Sequence, residues 1–353
     1  MQKTINIVAA AGLAFAIGCA SYDEDPMAHM DFKSRAVVED MADDDISVNG
    51  ADSMAAMKKE RKMQIAVAVD VSEQSQGRAK PPDPEKLLTS AQTFARSMLA
   101  KVKGYKLESV DMADLNRTLK SGDDINGVVY PFLCKLKVIL TSEVVAKSNK
   151  DEQLYKCTVE WELIDNRTKT NGLGENDTPV VITTEICQNV TMKELRLSVT
   201  GAAIGGGSYD VKNAQSAYNT VIGNCMSQFY AQLANRVPFG GVVSGLKTLD
   251  GDLYCTIKAD ERGQGVVKKM QMLITNEDND RIAVGEVMVS ANGKSNIKIW
   301  RWLSKSYRKQ LESASAKGKD EVEDWLDENP LYALCLGLPE PSKDMMLDFR
   351  SRK

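Results

Sequence analysis

Between Lys62 and Gly104 the apolar residues change their spacing once, from every second position to every third and fourth. That switch constrains the fold more than any other feature of the chain. In KMQIAVAVDVS, Ile65, Val67 and Val69 alternate with small residues and Val71 continues the run, which is the period of a strand. A loop containing Pro and Gly follows. PEKLLTSAQTFARSMLAKVKG then sets Leu87, Leu88, Ala91, Phe94, Ala95, Met98, Leu99 and Val102 at the i, i+3, i+4, i+7 spacing of an amphipathic helix. Asp83 is a ready cap, Pro84 suits the first turn and Gly104 stops the run. A strand and a helix that each have one face to bury demand a sheet with helices laid on it.

The rest of the chain extends this pattern. YKLESV is a short strand, and DMADLNRTLKSG a short helix capped by Asp111 and closed by Gly122. GVVYPFLCKLKVILTSEVVAK, YKCTVEWELIDNRT and VVITTEICQNVTM read as strands of a hairpin or meander, with Cys157, Val159, Trp161 and Leu163 on one face. AQSAYNTVIGNCMSQFYAQLANRV is a helix with Tyr218, Val221, Ile222, Cys225, Phe229 and Leu233 as its buried stripe. The expected class is α+β: a mixed-sheet α/β sandwich over 61–238. After Pro238 the turns DG, ERGQG, NEDND and ANGKS punctuate short alternating runs. They predict a small β-barrel-like domain over 239–303. Residues 304–353 read as a helical, then irregular, tail, with Trp325 and LYALCLGLP packing back on a domain.

The amino terminus reads MQKTINIVAAAGLAFAIGCAS. Lys3 precedes an apolar segment, Ile5 to Ile17, too short to span a bilayer and of the length of a signal-peptide core. Residues 1–18 are therefore expected to be a leader. Cys19 directly after Gly18 makes the stretch resemble a bacterial lipoprotein signal, in which the first mature residue carries lipid; Ala16 stands where that pattern has Leu. The alternative is an ordinary secretory signal with an incidental cysteine. The lipoprotein reading implies a membrane anchor at Cys19, and the lack of Asp after it implies the outer membrane, periplasmic side. Residues 19–60, acidic and without sustained periodicity, are expected to be a disordered linker, with a short helix over DSMAAMKKERK capped by Asp52 or Ser53.

Little in the chain points to chemistry. A formal net charge of −4 gives no reason to expect nucleic acid. His29, the only histidine, falls in the linker, which excludes Ser-His-Asp and Cys-His catalysis and most zinc sites. No cofactor is implied. Asp165 stands before a turn, where Asp closes an Asx-turn far more often than it catalyses. GAAIGGGSYD precedes a helix but lacks the Gly-Lys-Ser/Thr ending of a phosphate loop. Met98, Met226, Met270 and Met272 fall at core positions as filler. Trp300 and Trp302 flank Arg301 at period two, so both are expected on one strand face, either as core packing or as an aromatic surface for glycan or protein. No pair among the seven cysteines has metal or CxxC spacing. Cys157 and Cys187 lie at matching distances from the centre of a hairpin and could be bridged across two strands; the alternative is that they are buried free thiols.

KMQIAVAVDVS, LLTSAQTFARSML, GYKLESVDMADLNRTL, CTVEWELIDNRT, VVITTEICQNVT and AYNTVIGNCMSQFYAQL, taken in order, resemble the CsgG-type domain of curli-secretion lipoproteins, a CsgG/TolB-N-like fold. GVVKKMQMLI and RIAVGEVMVS resemble the small FlgT-like β domain of flagellar-assembly lipoproteins. The resemblance covers 61–238 as a pattern rather than a strict motif. It implies a non-enzymatic, periplasm-facing scaffold or assembly factor that binds an envelope protein and could self-associate. An oligomeric curli-type secretion channel and a carboxylate-dependent envelope hydrolase are the alternatives. The family's channels carry two membrane hairpins; here the gap TSEVVAKSNKDEQLY is broken by Lys147, Lys150, Asp151 and Glu152, and TMKELRLSVTGAAIGGGSYDVKN is short and glycine-rich. The domain is thus expected without the pore.

Overall fold

The computed structural model describes residues 33–48, 50–59, 62–81, 83–121, 124–147, 150–166, 180–194, 211–262 and 264–337. The leader, Cys19, His29 and the glycine-rich stretch 201–210 lie outside them.

β1 (Met63–Glu73) is the centre of the first sheet. It runs parallel to β2 (Tyr105–Val110) and to β3 (Phe132–Lys147). β4 (Lys150–Asp165) and β5 (Val180–Glu194) then add antiparallel, giving the order β2-β1-β3-β4-β5. Ile65, Val67 and Val69 of β1 enter the main core, while Ala66 and Ala68 point the other way into a smaller cluster with Leu115, Leu133 and Ile164. The alternation is therefore large against small, because both faces are covered. The β3–β4 register runs unbroken to Lys147 opposite Lys150.

Three helices cover this sheet. α3 (Pro84–Ala100) begins as its sequence predicts: the Asp83 carboxylate accepts from the Lys86 N–H at 3.1 Å, and Leu87, Ala91, Ala95, Met98 and Leu99 are buried. α4 (Met112–Ser121) buries Leu115 on the small-residue face. α5 (Val211–Arg236) lays Tyr218, Val221, Ile222, Cys225, Phe229 and Leu233 into the core. Aromatic edges lock it to β4: Tyr155 meets Tyr218 at 5.0 Å and Trp161 meets Phe229 at 5.1 Å, both near-perpendicular.

The second half is a closed antiparallel barrel in the order β10-β7-β6-β11-β8-β9. Its strands are β6 (Gly240–Leu249), β7 (Asp252–Ile257), β8 (Gln271–Asn276), β9 (Arg281–Ala291), β10 (Lys294–Trp302) and β11 (Leu331–Cys335). The boundary expected at 303 is corrected here. α6 (Lys305–Ser315) and α7 (Lys319–Glu328) lead back to β11, which pairs with β6 and β8 and closes the ring. An open ring would leave the edges of β6 and β8 unpaired. Gly240 permits the closure, since a Cβ there would stand 1.8 Å from the Ala333 carbonyl oxygen. The two halves share one core. At their junction the Tyr105 hydroxyl donates to the Val237 carbonyl at 2.5 Å and its ring meets Phe239 at 5.8 Å. Gly104 turns there with φ +86°, and a Cβ would lie 3.0 Å from the Gln264 carbonyl.

The disordered linker expected over 19–60 is also corrected from residue 33 onward. α1 (Arg35–Glu39), a 3-10 turn (Asp43–Asp45) and α2 (Ala51–Lys58) form a strap on the outside of the barrel. Val38 and Ile46 are fully buried against Leu273, Val284 and Leu336, and Met54 and Met57 against Tyr332 and Leu334. Arg301 donates to the carbonyls of Val38 and Met41, each at 2.9 Å, and to the Asp43 carboxylate. Arg281 donates to the Asp43 carbonyl at 2.6 Å and to the Asp44 carboxylate at 3.2 Å. Gly50, not Asp52 or Ser53, caps α2.

Candidate functional site

β10 carries the site. Its period-two pattern is broken by a bulge between Ile299 and Arg301, which leaves Trp300 as the extra residue. Ile299 pairs with Gly285, Arg301 with Val284 and Trp302 with Ala283. Trp302 therefore shares a face with Ile299 and not with Trp300, which corrects the one-face expectation. Trp300 packs on the outer cluster under the strap, while Trp302 packs on the main core. Both remain half-buried, and both rim one cleft of about 590 Å³.

Four elements build that cleft. α1 supplies Arg35, whose guanidinium lies 4.7 Å from the Trp300 ring centre. The ring is held in place, since the indole N–H of Trp300 donates to Gln271 at 2.9 Å. The first turn of α6 supplies Arg308, 5.9 Å over Trp302 and bonded to Glu312 at 2.8 Å. β7 opens, just past the β6–β7 turn, with Asp252, whose carboxylate takes Lys298 of β10 at 2.5 Å. That hydrogen bond raises the Lys298 ammonium above its ordinary range. The turn itself is the DG predicted from sequence, with Asp250 and Gly251 at φ +52° and +84°. Thr248 and Ser315 share a hydroxyl contact at 2.8 Å and tie the turn to α6.

The cleft thus offers two indoles, three cations and two carboxylates, with each cation in an ion pair: Lys298 with Asp252, Arg308 with Glu312, and Arg35 with Glu39 at 2.8 Å. Sequence reasoning found the tryptophans. It missed Arg35, which sits in a stretch without periodicity, and Arg308 and Glu312, which sit in the tail.

The other expected positions are not brought to this cleft. Cys19 lies outside the described residues. Cys157 stands opposite Asn189 while Cys187 stands opposite Val159, so the two are offset by two positions along the ladder and do not face each other. Cys157 is a free, buried thiol, as are Cys134, Cys225, Cys255 and Cys335. Burial pushes the Cys255 and Cys335 thiols up to about 12 and Cys134 well above its usual range, which keeps them protonated and poor nucleophiles. Met98, Met226, Met270 and Met272 are core residues. Asp165 ends β4 at the sheet rim. The acid best hidden from water among the described residues is Asp260, 6% exposed, and its carboxylate accepts the Gly293 N–H at 2.7 Å, a brace between two loops. No group of three or more metal-ligating side chains occurs among the described residues, and none of their helices is long and apolar enough to cross a membrane.

No family model matches the chain, and no curated protein matches it. Solved structures overlap it in part. A protein described as a neuraminyllactose-binding hemagglutinin homolog from Helicobacter pylori is 8% identical, covers 48% of this chain and 83% of its own, and superposes with a TM-score of 0.31. The hypothetical protein CT253 of Chlamydia trachomatis is 11% identical over 49% of this chain and 97% of its own, TM-score 0.30. PelC of Paraburkholderia phytofirmans, a dodecamer, is 15% identical over 47% of this chain and 87% of its own, TM-score 0.23. Overlaps this weak assign neither a fold family nor a function.

Proposed function

We propose that this chain is a lipid-anchored envelope protein that works by binding rather than turnover, facing the periplasm from the outer membrane. In this reading its α/β half is a CsgG-type domain and the barrel presents the binding surface. The observation that carries it is the strap. A chain leaving a lipid at Cys19 does not end in a loose tether but is sewn to the barrel by Arg281 and Arg301. Arg35, a wall of the cleft, follows Cys19 by 16 residues. A fully extended segment of that length spans roughly 55 Å at most. The anchor would therefore hold the cleft close to the membrane, where effective concentration replaces intrinsic affinity. A scaffold that holds an envelope component in place needs no more chemistry than this.

The test is the mature amino terminus. Mass spectrometry of the chain expressed in a bacterial host should find cleavage after Gly18 and acyl chains on Cys19, and Cys19→Ser should leave the membrane fraction. An unmodified terminus with unchanged fractionation overturns the anchor.

A further inference from the structure

From the lining of the barrel cleft we infer that it is a binding site for a neutral oligosaccharide. This rests on the reading of the cleft as a binding surface and adds the class of ligand.

The chemistry of the lining separates three classes. An acidic ligand needs a cation without a partner, yet Lys298 and Arg308 already hold Asp252 and Glu312 at 2.5 and 2.8 Å. An apolar peptide anchor needs a dry, apolar pocket, and this cleft is walled by charges. A sugar needs what is present. Each of its hydroxyls both donates and accepts, and an ion pair offers donors and acceptors side by side. The C–H face of a pyranose is apolar and flat, and packs on an indole. Trp302 is the platform, since its guanidinium neighbour stands off at 5.9 Å, whereas the Trp300 face is covered by Arg35 at 4.7 Å. About 590 Å³ lies within the range of small-ligand clefts. The site is also held rigid: β10 belongs to a closed barrel, and the turn just before Asp252 is tied to α6.

Cleavage is not part of the inference. Asp252 and Glu312 are 43% and 49% exposed and ion-paired, the reverse of the desolvated setting a general acid needs.

The experiment titrates the purified full chain, in detergent, with chitotetraose and cellotetraose as neutral probes and oligogalacturonate as the acidic one, following tryptophan fluorescence and heat. A saturable signal with a neutral probe is expected. It should weaken at least tenfold in Trp302→Ala, recover in Trp302→Phe, and weaken in Asp252→Asn, the half-exposed first residue of β7, whose change does not touch the core. Binding of the acidic probe alone overturns the neutral class. No response to any saccharide overturns the inference while leaving the anchor at Cys19 untouched. Shortened oligosaccharides, seen by mass spectrometry after incubation, overturn binding without turnover.

Discussion

Replacing Arg301 with Met should release the strap and nothing else. The side chain is 21% exposed and donates to two backbone carbonyls, of Val38 and Met41, at 2.9 Å each. A hydrogen bond from a charged donor contributes about 1.5–3 kcal/mol. Part of this side chain is wet and the freed carbonyls regain water, so the lower end applies, about 3 kcal/mol for the two. The Asp43 carboxylate is 61% exposed, and its pairing adds less than about 1 kcal/mol. Met fills most of the space of the arginine stem, so the barrel keeps its packing. About 3 kcal/mol corresponds to roughly a hundredfold rise in the open fraction of the strap. Hydrogen exchange read by mass spectrometry should therefore speed up about a hundredfold in peptides from 35–47. Peptides from β1, β3 and β4 should keep their rates. Val38 and Ile46 still have burial to gain, so the strap opens more often without leaving for good. Unchanged exchange over 35–47 would refute the role given to Arg301. A uniform increase across the molecule would show instead that strap and barrel open as one unit.

Three further outcomes follow from packing and titration. Gly240→Ala drives a Cβ to 1.8 Å from the Ala333 carbonyl and should cost about 3 kcal/mol in a thermal or urea melt, whereas Gly293→Ala, at φ +76° with open space around it, should cost only about 1–2 kcal/mol. The buried thiols favour the protonated form, with Cys255 and Cys335 moved from 9.0 to about 12 in the folded chain. Their contribution is complete below about pH 9 and is lost as pH rises toward about 12, because the unfolded chain releases these protons first. The urea midpoint should fall between pH 9 and 11, and less steeply in Cys255→Ala; a flat midpoint counts against the burial of the thiols. Alkylation of Cys255 and Cys335 in the native chain at pH 8 should be roughly a thousandfold slower than that of an exposed thiol.

Local patterning explains what the sequence made legible. The α3 cap, the α5 stripe and the DG turn are each decided by residues near one another in sequence, so a local window contains their cause. Three features depend on partners far away. β11 is five buried residues whose assignment as a strand requires β6 and β8, more than 50 residues distant. The strap has no period because its apolar residues drop singly into grooves that other strands create. The bulge at Trp300 and the two-position offset of Cys157 and Cys187 are register effects, and register is set by the strand opposite. The same holds for the candidate site. Trp300 and Trp302 were visible because they are neighbours on one strand, while Arg35 reaches them only after the amino-terminal segment has wrapped the barrel.

The sixth barrel strand ends at Cys335, and the strap that starts near Lys33 rests partly on it through Tyr332 and Leu334. The strap thus has no complete seat until β11 has arrived. Topology of this kind delays folding, and it joins ring closure and wrapping in a single late event.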